Sequence, residues 1–275
     1  MILDADYAAI EARIVCWLAG QEDALEEYRQ GVDRYKRMAA FVYGIAEHEV
    51  DKFPQRFVGK GLILGAGFGL GAPKFRITCK KPPGNYDLPE GLEFKAINAW
   101  RKKHNCVVKF WEKLDEAAKA AVLHKGEVFA AGKHISFKCI TTGEIEFLLM
   151  RLPSGRKLAY PWPKIVPGKF EGTTAVSFYQ NLKGVNWGWN SGIWGGVWAE
   201  NATQAVAADV MCHGAQNCED VGYEICALIH DQALSYHQSH QTPEEFVRLL
   251  TDLPEWAVGL PIAAEGALVP FYKKD

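Results

Sequence analysis

Apolar residues change their spacing several times along this chain, and each change marks an element. Ile2, Leu3 and Ala5 form a short apolar run closed by Asp6, the pattern of a buried strand. Ile10, Ile14, Trp17 and Leu18 then recur at helical spacing until Gly20, a stop signal. A second helical stretch is expected over residues 24–43. From Arg56 to Gly71 the helical stripe returns, interrupted by Gly59, Gly61, Gly65, Gly67, Gly69 and Gly71. Each glycine costs a helix about 1 kcal/mol relative to alanine, so this helix needs tertiary support. Residues 73–89 are basic and rich in breakers, which predicts a loop. From Leu92 to about Lys125 the spacing predicts one long helix, with Ala96, Ala99, Trp100, Val107, Phe110, Trp111 and Leu114 on its apolar side.

From about Lys133 the period drops to two: Ile135, Phe137, Ile145, Phe147 and Leu149 alternate with polar residues, and Pro153-Ser154-Gly155 marks a turn between strands. Residues 187–198 are rich in glycine and tryptophan and fit no single period. Residues 200–217 are helical in pattern, 224–235 form a hairpin, and 243–250 a further helix. The expected class is α+β, with sheet-forming pieces at both ends of the chain and a helical bulk between them. No internal repeat or linker interrupts it.

Composition adds bounds. Hydrophobic residues make up 48% and charged residues 23% of the 275, ordinary globular usage that excludes disordered and fibrous classes. With 31 basic and 33 acidic residues the net charge is −2, so bulk electrostatics does not advertise a nucleic-acid partner. The seven cysteines include no Cys-x-x-Cys pair and fit reduced, mostly buried thiols of a cytoplasmic protein. No apolar run has the length of a membrane span.

Two aspartates stand where carboxylates are costly: Asp6 at the end of the first strand, and Asp231 after Ile225-Cys226-Ala227-Leu228-Ile229. Singly, each suits a strand-end turn. As a pair on neighbouring strands they would offer hard oxygen ligands to Mg²⁺, and two such ions can clamp the attacking and leaving oxygens of a phosphoryl displacement. Arg56, Lys60, Leu64 and Phe68 are four residues apart and share a helix face. Two cations followed by two apolar groups suit a nucleoside triphosphate, though a solvated basic start followed by core positions gives the same spacing.

The surroundings of these residues narrow the choice. Asp6-Tyr7-Ala8-Ala9-Ile10-Glu11-Ala12-Arg13 resembles the Asp-Tyr-x-x-Ile-Glu-x-Arg motif of family A DNA polymerases, the DNA polymerase I relatives. His230-Asp231-Gln232 resembles their His-Asp-Glu motif, and Arg56-x3-Lys60-x3-Leu64-x3-Phe68 their fingers motif. Glu200-Asn201-Ala202-Thr203-Gln204-Ala205 is similar to a run common in phage members. Leu152-Pro153-Ser154-Gly155-Arg156-Lys157 and Trp256-Ala257-x-Gly259-Leu260-Pro261-x2-Ala264-Glu265-Gly266 are similar too. The matches follow the family's order over essentially the whole chain.

The resemblance implies a palm at 1–14 and 200–275, built on an antiparallel sheet, and mostly helical fingers at 15–199 with a β-rich insertion at about 133–182. It implies template-directed DNA synthesis from dNTPs on primer–template DNA. Asp6, Asp231 and the Tyr7 backbone carbonyl would hold two Mg²⁺, for which Mn²⁺ could substitute. These ions would activate the primer 3′-hydroxyl and stabilise the departing pyrophosphate. Arg56 and Lys60 would neutralise phosphate charge, the usual largest contribution in such transfers. Leu64 and Phe68 would meet the base, Glu11 would be the steric gate against a ribose, and Tyr35 stands where a phosphate-binding histidine is found. Gln204, His230 and Arg13 would contact DNA, in the minor groove for the first two.

Several residues depart from the family pattern: Gln232 replaces glutamate, Leu64 an aromatic, and Phe68 a tyrosine whose hydroxyl could bond the gate. Only five residues precede Asp6, where family members carry an exonuclease-like region, a thumb and part of the palm. The expectation is the C-terminal half of a split polymerase whose second chain supplies these, with a truncated gene or trimmed chain as the alternative. Other functions compatible with the same residues are a catalytically silent DNA-binding or replisome subunit and a metal-dependent phosphohydrolase. Gly67-x-Gly69-x-x-Ala72 lacks the strand and helix of a dinucleotide fingerprint, and no P-loop is present. The tryptophans of 187–198 suit either a base-stacking platform or a packed aromatic corner. Lys80, Lys81, Arg101, Lys102, Lys103 and Lys109 form the candidate template-strand patch.

Overall fold

The computed structural model describes residues 1–273 apart from 183 and 185. Its first strand is β1 (Ile2–Tyr7), followed by α1 (Ile10–Ala19), α2 (Glu22–Arg29) and α3 (Arg34–Tyr43). The stretch expected to be one helix over 24–43 is thus two, because Gly31 turns the chain in the left-handed region and Asp33 restarts it as the α3 N-cap. Next come α4 (Phe57–Gly65), α5 (Ala72–Lys80), α6 (Leu92–Lys103) and α7 (Asn105–Leu123). The expected loop at 73–89 therefore begins with a helix: Pro73 lies in its first turn, where a missing N–H costs nothing. The expected single helix from Leu92 is also broken, at His104, whose backbone leaves the helical region.

The strands β2 (Val128–Ala131), β3 (Ile135–Thr142), β4 (Ile145–Arg151) and β5 (Lys157–Pro161) form an antiparallel sheet in sequence order. Two further hairpins pair β6 (Lys164–Pro167) with β7 (Thr174–Ser177) and β8 (Tyr179–Leu182) with β9 (Asn186–Trp189). The middle of the chain is therefore not helical bulk alone. After α8 (Gly195–Asp220) come β10 (Glu224–Ile229), β11 (Gln232–Tyr236), α9 (Pro243–Leu250) and β12 (Ala264–Val269).

The chain divides into two compact units, one made of Met1–Ile14 with Gln204–Asp275, the other of Val15–Thr203. The first is built on an antiparallel sheet ordered β10-β11-β1-β12. One face of its central strands, Leu3, Ala5, Tyr7, Ala233 and Ser235, is fully buried. Alternation puts Asp4 and Asp6 on the other face. Phe246, Leu249 and Leu250 of α9 complete the core, with Phe246 stacked on Tyr223.

In the second unit α7 lies along β2 and β3. Phe137 meets Trp198 edge-on at 5.5 Å, and Tyr160 meets Trp198 at 5.0 Å. A buried charge network joins the helices: Glu27 accepts from Arg34 Nε at 2.8 Å and from Lys103 Nζ at 3.0 Å. Arg34 Nη2 donates to His104 Nε2 at 2.7 Å. That bond and the stacking of His104 on Trp100 explain the helix break, since both hold the ring inside. Among the described residues no helix is long and apolar enough to cross a membrane. Cys16, Cys79, Cys139 and Cys218 are buried thiols, whereas Cys212 and Cys226 are exposed.

Candidate functional site

In the first unit, β1 and β11 run antiparallel with Asp6 opposite Gln232. Asp231 comes one residue earlier, in the two-residue turn that joins β10 to β11, and its carbonyl accepts the Tyr7 N–H at 2.9 Å. The aspartates, 225 positions apart in sequence number, thus come to the same end of one strand pair. Asp6 is exposed and Asp231 half-buried. His230 opens the turn at φ +56°, the left-handed conformation that a two-residue hairpin requires, and its side chain is exposed. On the other side of β1, Glu265 of β12 stands opposite Asp6, so the exposed face carries Glu265, Asp6 and Gln232 in a row. The Gln232 Oε1 accepts from the Tyr272 hydroxyl at 3.2 Å. Glu265 was visible in the sequence only as part of a motif; its place beside Asp6 comes from the register.

Tyr7 is divided between two roles. Its ring is buried and its hydroxyl donates to the Leu250 carbonyl at 2.7 Å, while burial pushes the phenol's pKa well up. Only its backbone is left for ligand chemistry. A Cβ on Gly214 of α8 would come within 2.7 Å of that hydroxyl and 2.6 Å of the Leu250 carbonyl oxygen, so α8 approaches here without a side chain. Arg13 donates from Nε to the Ala8 carbonyl at 2.7 Å and from Nη1 to the Pro261 carbonyl at 3.0 Å, pinning the start of α1. Glu11 lies in the first turn of α1, half-buried, and Gln204 is exposed on α8.

Hard oxygens suit magnesium: two carboxylates and a carbonyl at one strand end match its habit of taking one or two carboxylates and completing its shell with water and substrate phosphate. Among the described residues no three His, Cys, Asp or Glu side chains gather as a self-sufficient metal cluster.

In the second unit the cation-and-apolar stripe divides by depth. Val58, Leu62 and Ile63 of α4 are buried, whereas Lys60 is exposed and Leu64 is 38% exposed. The stripe is therefore the outward face of the helix, and Leu64 is not a core position. Arg56 precedes α4, and Phe68 lies in a 3-10 turn that Gly69 ends at φ +81°. Arg56 Nε donates to Asp33 Oδ2 at 2.8 Å, and its guanidinium lies over the Tyr35 ring at 5.1 Å. Burial would raise the Asp33 carboxyl, but Arg56 and the Lys36 N–H outweigh it and hold its pKa low. Gly59 lets α3 approach α4, since a Cβ there would stand 2.1 Å from the Tyr35 carbonyl oxygen.

Sequence reasoning missed Asp33 as a partner of Arg56, which only the tertiary structure reveals; Trp194, one of the tryptophans expected as a stacking platform or a packed corner, is packed. The Trp194 ring covers Gly69, where a Cβ would meet it at 2.1 Å, and packs edge-on against Trp111 at 5.8 Å. The basic patch expected around residues 80–109 is partly consumed internally, with Lys80 on Asp87 at 2.8 Å and Lys103 on Glu27 at 3.0 Å.

No protein-family model matches the chain. Over 275 residues, 98% of the chain, it is 30% identical to the DNA polymerase of Bacillus phage SP02, of which it covers 41%. A stretch of 68 residues, 25% of the chain, is 34% identical to DNA polymerase I of Chloroflexus aurantiacus, covering 7% of it. Among solved structures, the POL domain of Pol1 from M. smegmatis, in complex with DNA primer-template and dNTP, matches with a TM-score of 0.57 at 16% identity. That match covers 97% of this chain and 38% of the other, and carries the fold alone. The chain thus spans about two fifths of the length of the phage relative.

Proposed function

The chain belongs to the family A DNA polymerases, and from that membership we propose that it performs template-directed DNA synthesis, extending a primer 3′-hydroxyl with dNTPs. The observation that carries the reading is the meeting of Asp6 and Asp231 at one end of the β1–β11 pair, within motifs that follow the family's order. In this reading the first unit is palm and the second is fingers with a β-rich insertion.

Asp6, Asp231 and the Tyr7 carbonyl would hold Mg²⁺, or Mn²⁺ in its place. When bound, such ions supply charge to the entering hydroxyl and the departing pyrophosphate. The chain's own groups do the positioning. Asp33 takes the Nε of Arg56; the other N–H groups of Arg56 would bind a triphosphate, to which Lys60 would add a second positive charge. Leu64 and Phe68 offer the base an apolar surface, with Tyr35 beside the phosphates. Glu11 excludes a 2′-hydroxyl by occupying its space. Gln204 and His230, both exposed, would make sequence-independent DNA contacts. Arg13 has the weaker case, because its Nε and Nη1 already serve backbone carbonyls.

In the same reading a thumb, a proofreading region and the rest of the palm would be supplied by the same polypeptide or by a second chain. Primer extension with the purified chain, alone and with the complementary part, tests the proposal. Template-dependent incorporation that Asp231→Ala abolishes supports it. Primer–template binding without any incorporation would show a silent binding subunit, and template-free dNTP hydrolysis would show a phosphohydrolase.

A further inference from the structure

We infer that the β8–β9 hairpin and the turn before β6 form a platform for single-stranded nucleic acid, built from residues that the proposed synthesis does not use. The hairpin pairs Tyr179 with Trp189 and Asn181 with Trp187, so alternation puts all four side chains on one face. That face is open: Trp187 is 64% exposed and Trp189 47%. Tyr179 stacks with Trp187 at 6.1 Å and meets Trp189 edge-on at 4.9 Å. Trp162 joins the group at 5.5 Å from Tyr179, and the Trp189 indole N–H donates to its carbonyl at 3.4 Å. Lys164 Nζ lies 4.1 Å from the centre of the Trp189 ring.

Rings in a core are usually fixed by surrounding side chains; these are fixed by one another and leave broad π faces in water. Trp162 is held at φ +47°, between Pro161 and Pro163, a conformation that a bulky residue seldom keeps without being constrained. Flat apolar faces with a cation beside them accept stacked bases without reading their sequence.

Charge selects among flat ligands. The chain as a whole has net charge −2, yet the described residues of 156–189 include Arg156, Lys157, Lys164 and Lys169 against the single acid Glu171, with Lys164 at the rings themselves. A polyanion with bases fits this surface, whereas a neutral sugar gains nothing from the lysines and an acidic protein offers no run of planar groups.

The test is a titration of a short oligothymidylate into the purified chain without primer, dNTP or divalent metal, so that it does not depend on the polymerase reading. Tryptophan emission is quenched as bases stack, and affinity falls with salt. Trp187→Ala combined with Trp189→Ala weakens binding about tenfold or more. Lys164→Ala lowers the slope of log affinity against log salt by about 0.7, the share of one phosphate contact on a single strand. Thermal melting checks that the variants fold; should the double variant melt early, Trp187→Ala alone, at the most exposed ring, carries the comparison. Wild-type affinity in the folded variants, or no binding of oligothymidylate by the wild-type chain, overturns the inference. Quenching by a protein partner with none by the oligonucleotide would likewise overturn it, and make the face a protein interface.

Discussion

Asp33 serves two masters: its Oδ1 accepts the Lys36 N–H at 3.0 Å and so caps α3, while its Oδ2 holds Arg56 Nε at 2.8 Å. The residue that starts one helix thereby orients the cation that begins the stripe on the next. Capping alone is worth about 1 kcal/mol. The two contributions separate by substitution. Asp33→Ser keeps a cap and loses the arginine's partner, so the melting temperature stays near wild type while KM for dNTP rises several-fold. Asp33→Ala loses both, lowering the melting temperature as well. Steady-state incorporation alongside calorimetry distinguishes the two.

Gly59 is the second point of control over that surface. A methyl group placed there runs into the Tyr35 carbonyl oxygen, a backbone atom that cannot swing aside. Gly59→Ala gains helix propensity but forces α3 away from α4, with a net destabilisation of about 1–3 kcal/mol, as overpacked positions show. Urea unfolding measures it, and any rise in dNTP KM follows from the displaced Arg56–Tyr35 pair.

His104 sets the acid limit of the second unit. Burial, then the neighbouring Arg34, lowers its pKa to about 4 from 6.5, because its Nε2 must stay unprotonated to accept from Arg34. Since the folded value lies below the unfolded one, the network's full stability is present above about pH 6.5. It is lost progressively as pH falls toward 4, by an amount on the order of 3 kcal/mol. Unfolding curves at pH 7 and pH 5 show the loss, and His104→Gln flattens the difference.

Gln232 stands where the family pattern has glutamate, on the same face as Asp6 and Glu265. Gln232→Glu retains an acceptor for Tyr272 and adds a third carboxylate to the row. The expected outcome is a lower melting temperature in low salt without divalent ions, reversed by Mg²⁺, and a lower Mg²⁺ requirement for incorporation. Asp231→Asn, in contrast, leaves folding intact and removes incorporation; melting curves with and without Mg²⁺, read beside primer extension, check both.

Residues whose role is local were legible in the sequence. The strand ending at Asp6 and the hairpin around His230-Asp231 follow from short apolar runs, and the structure joins them in register. The break at His104 was not, because the apolar stripe continues on both sides of it and only the buried Arg34 explains the stop. Pro73 misled in the opposite sense, since a breaker inside a helix is harmless in its first turn. Asp33 as a helix cap and Glu265 within a motif have local signals, but their place beside Arg56 and Asp6 does not, because only chain folding brings those pairs together.

The buried ring of Tyr7 also makes the first unit sensitive at a distance. Any side chain at Gly214 must push on the Tyr7 hydroxyl or on Leu250, and the ring can yield only by dragging its own strand. A random screen for inactive alleles would therefore collect substitutions of this glycine together with those of the acidic pair, although residue 214 has no chemistry to offer.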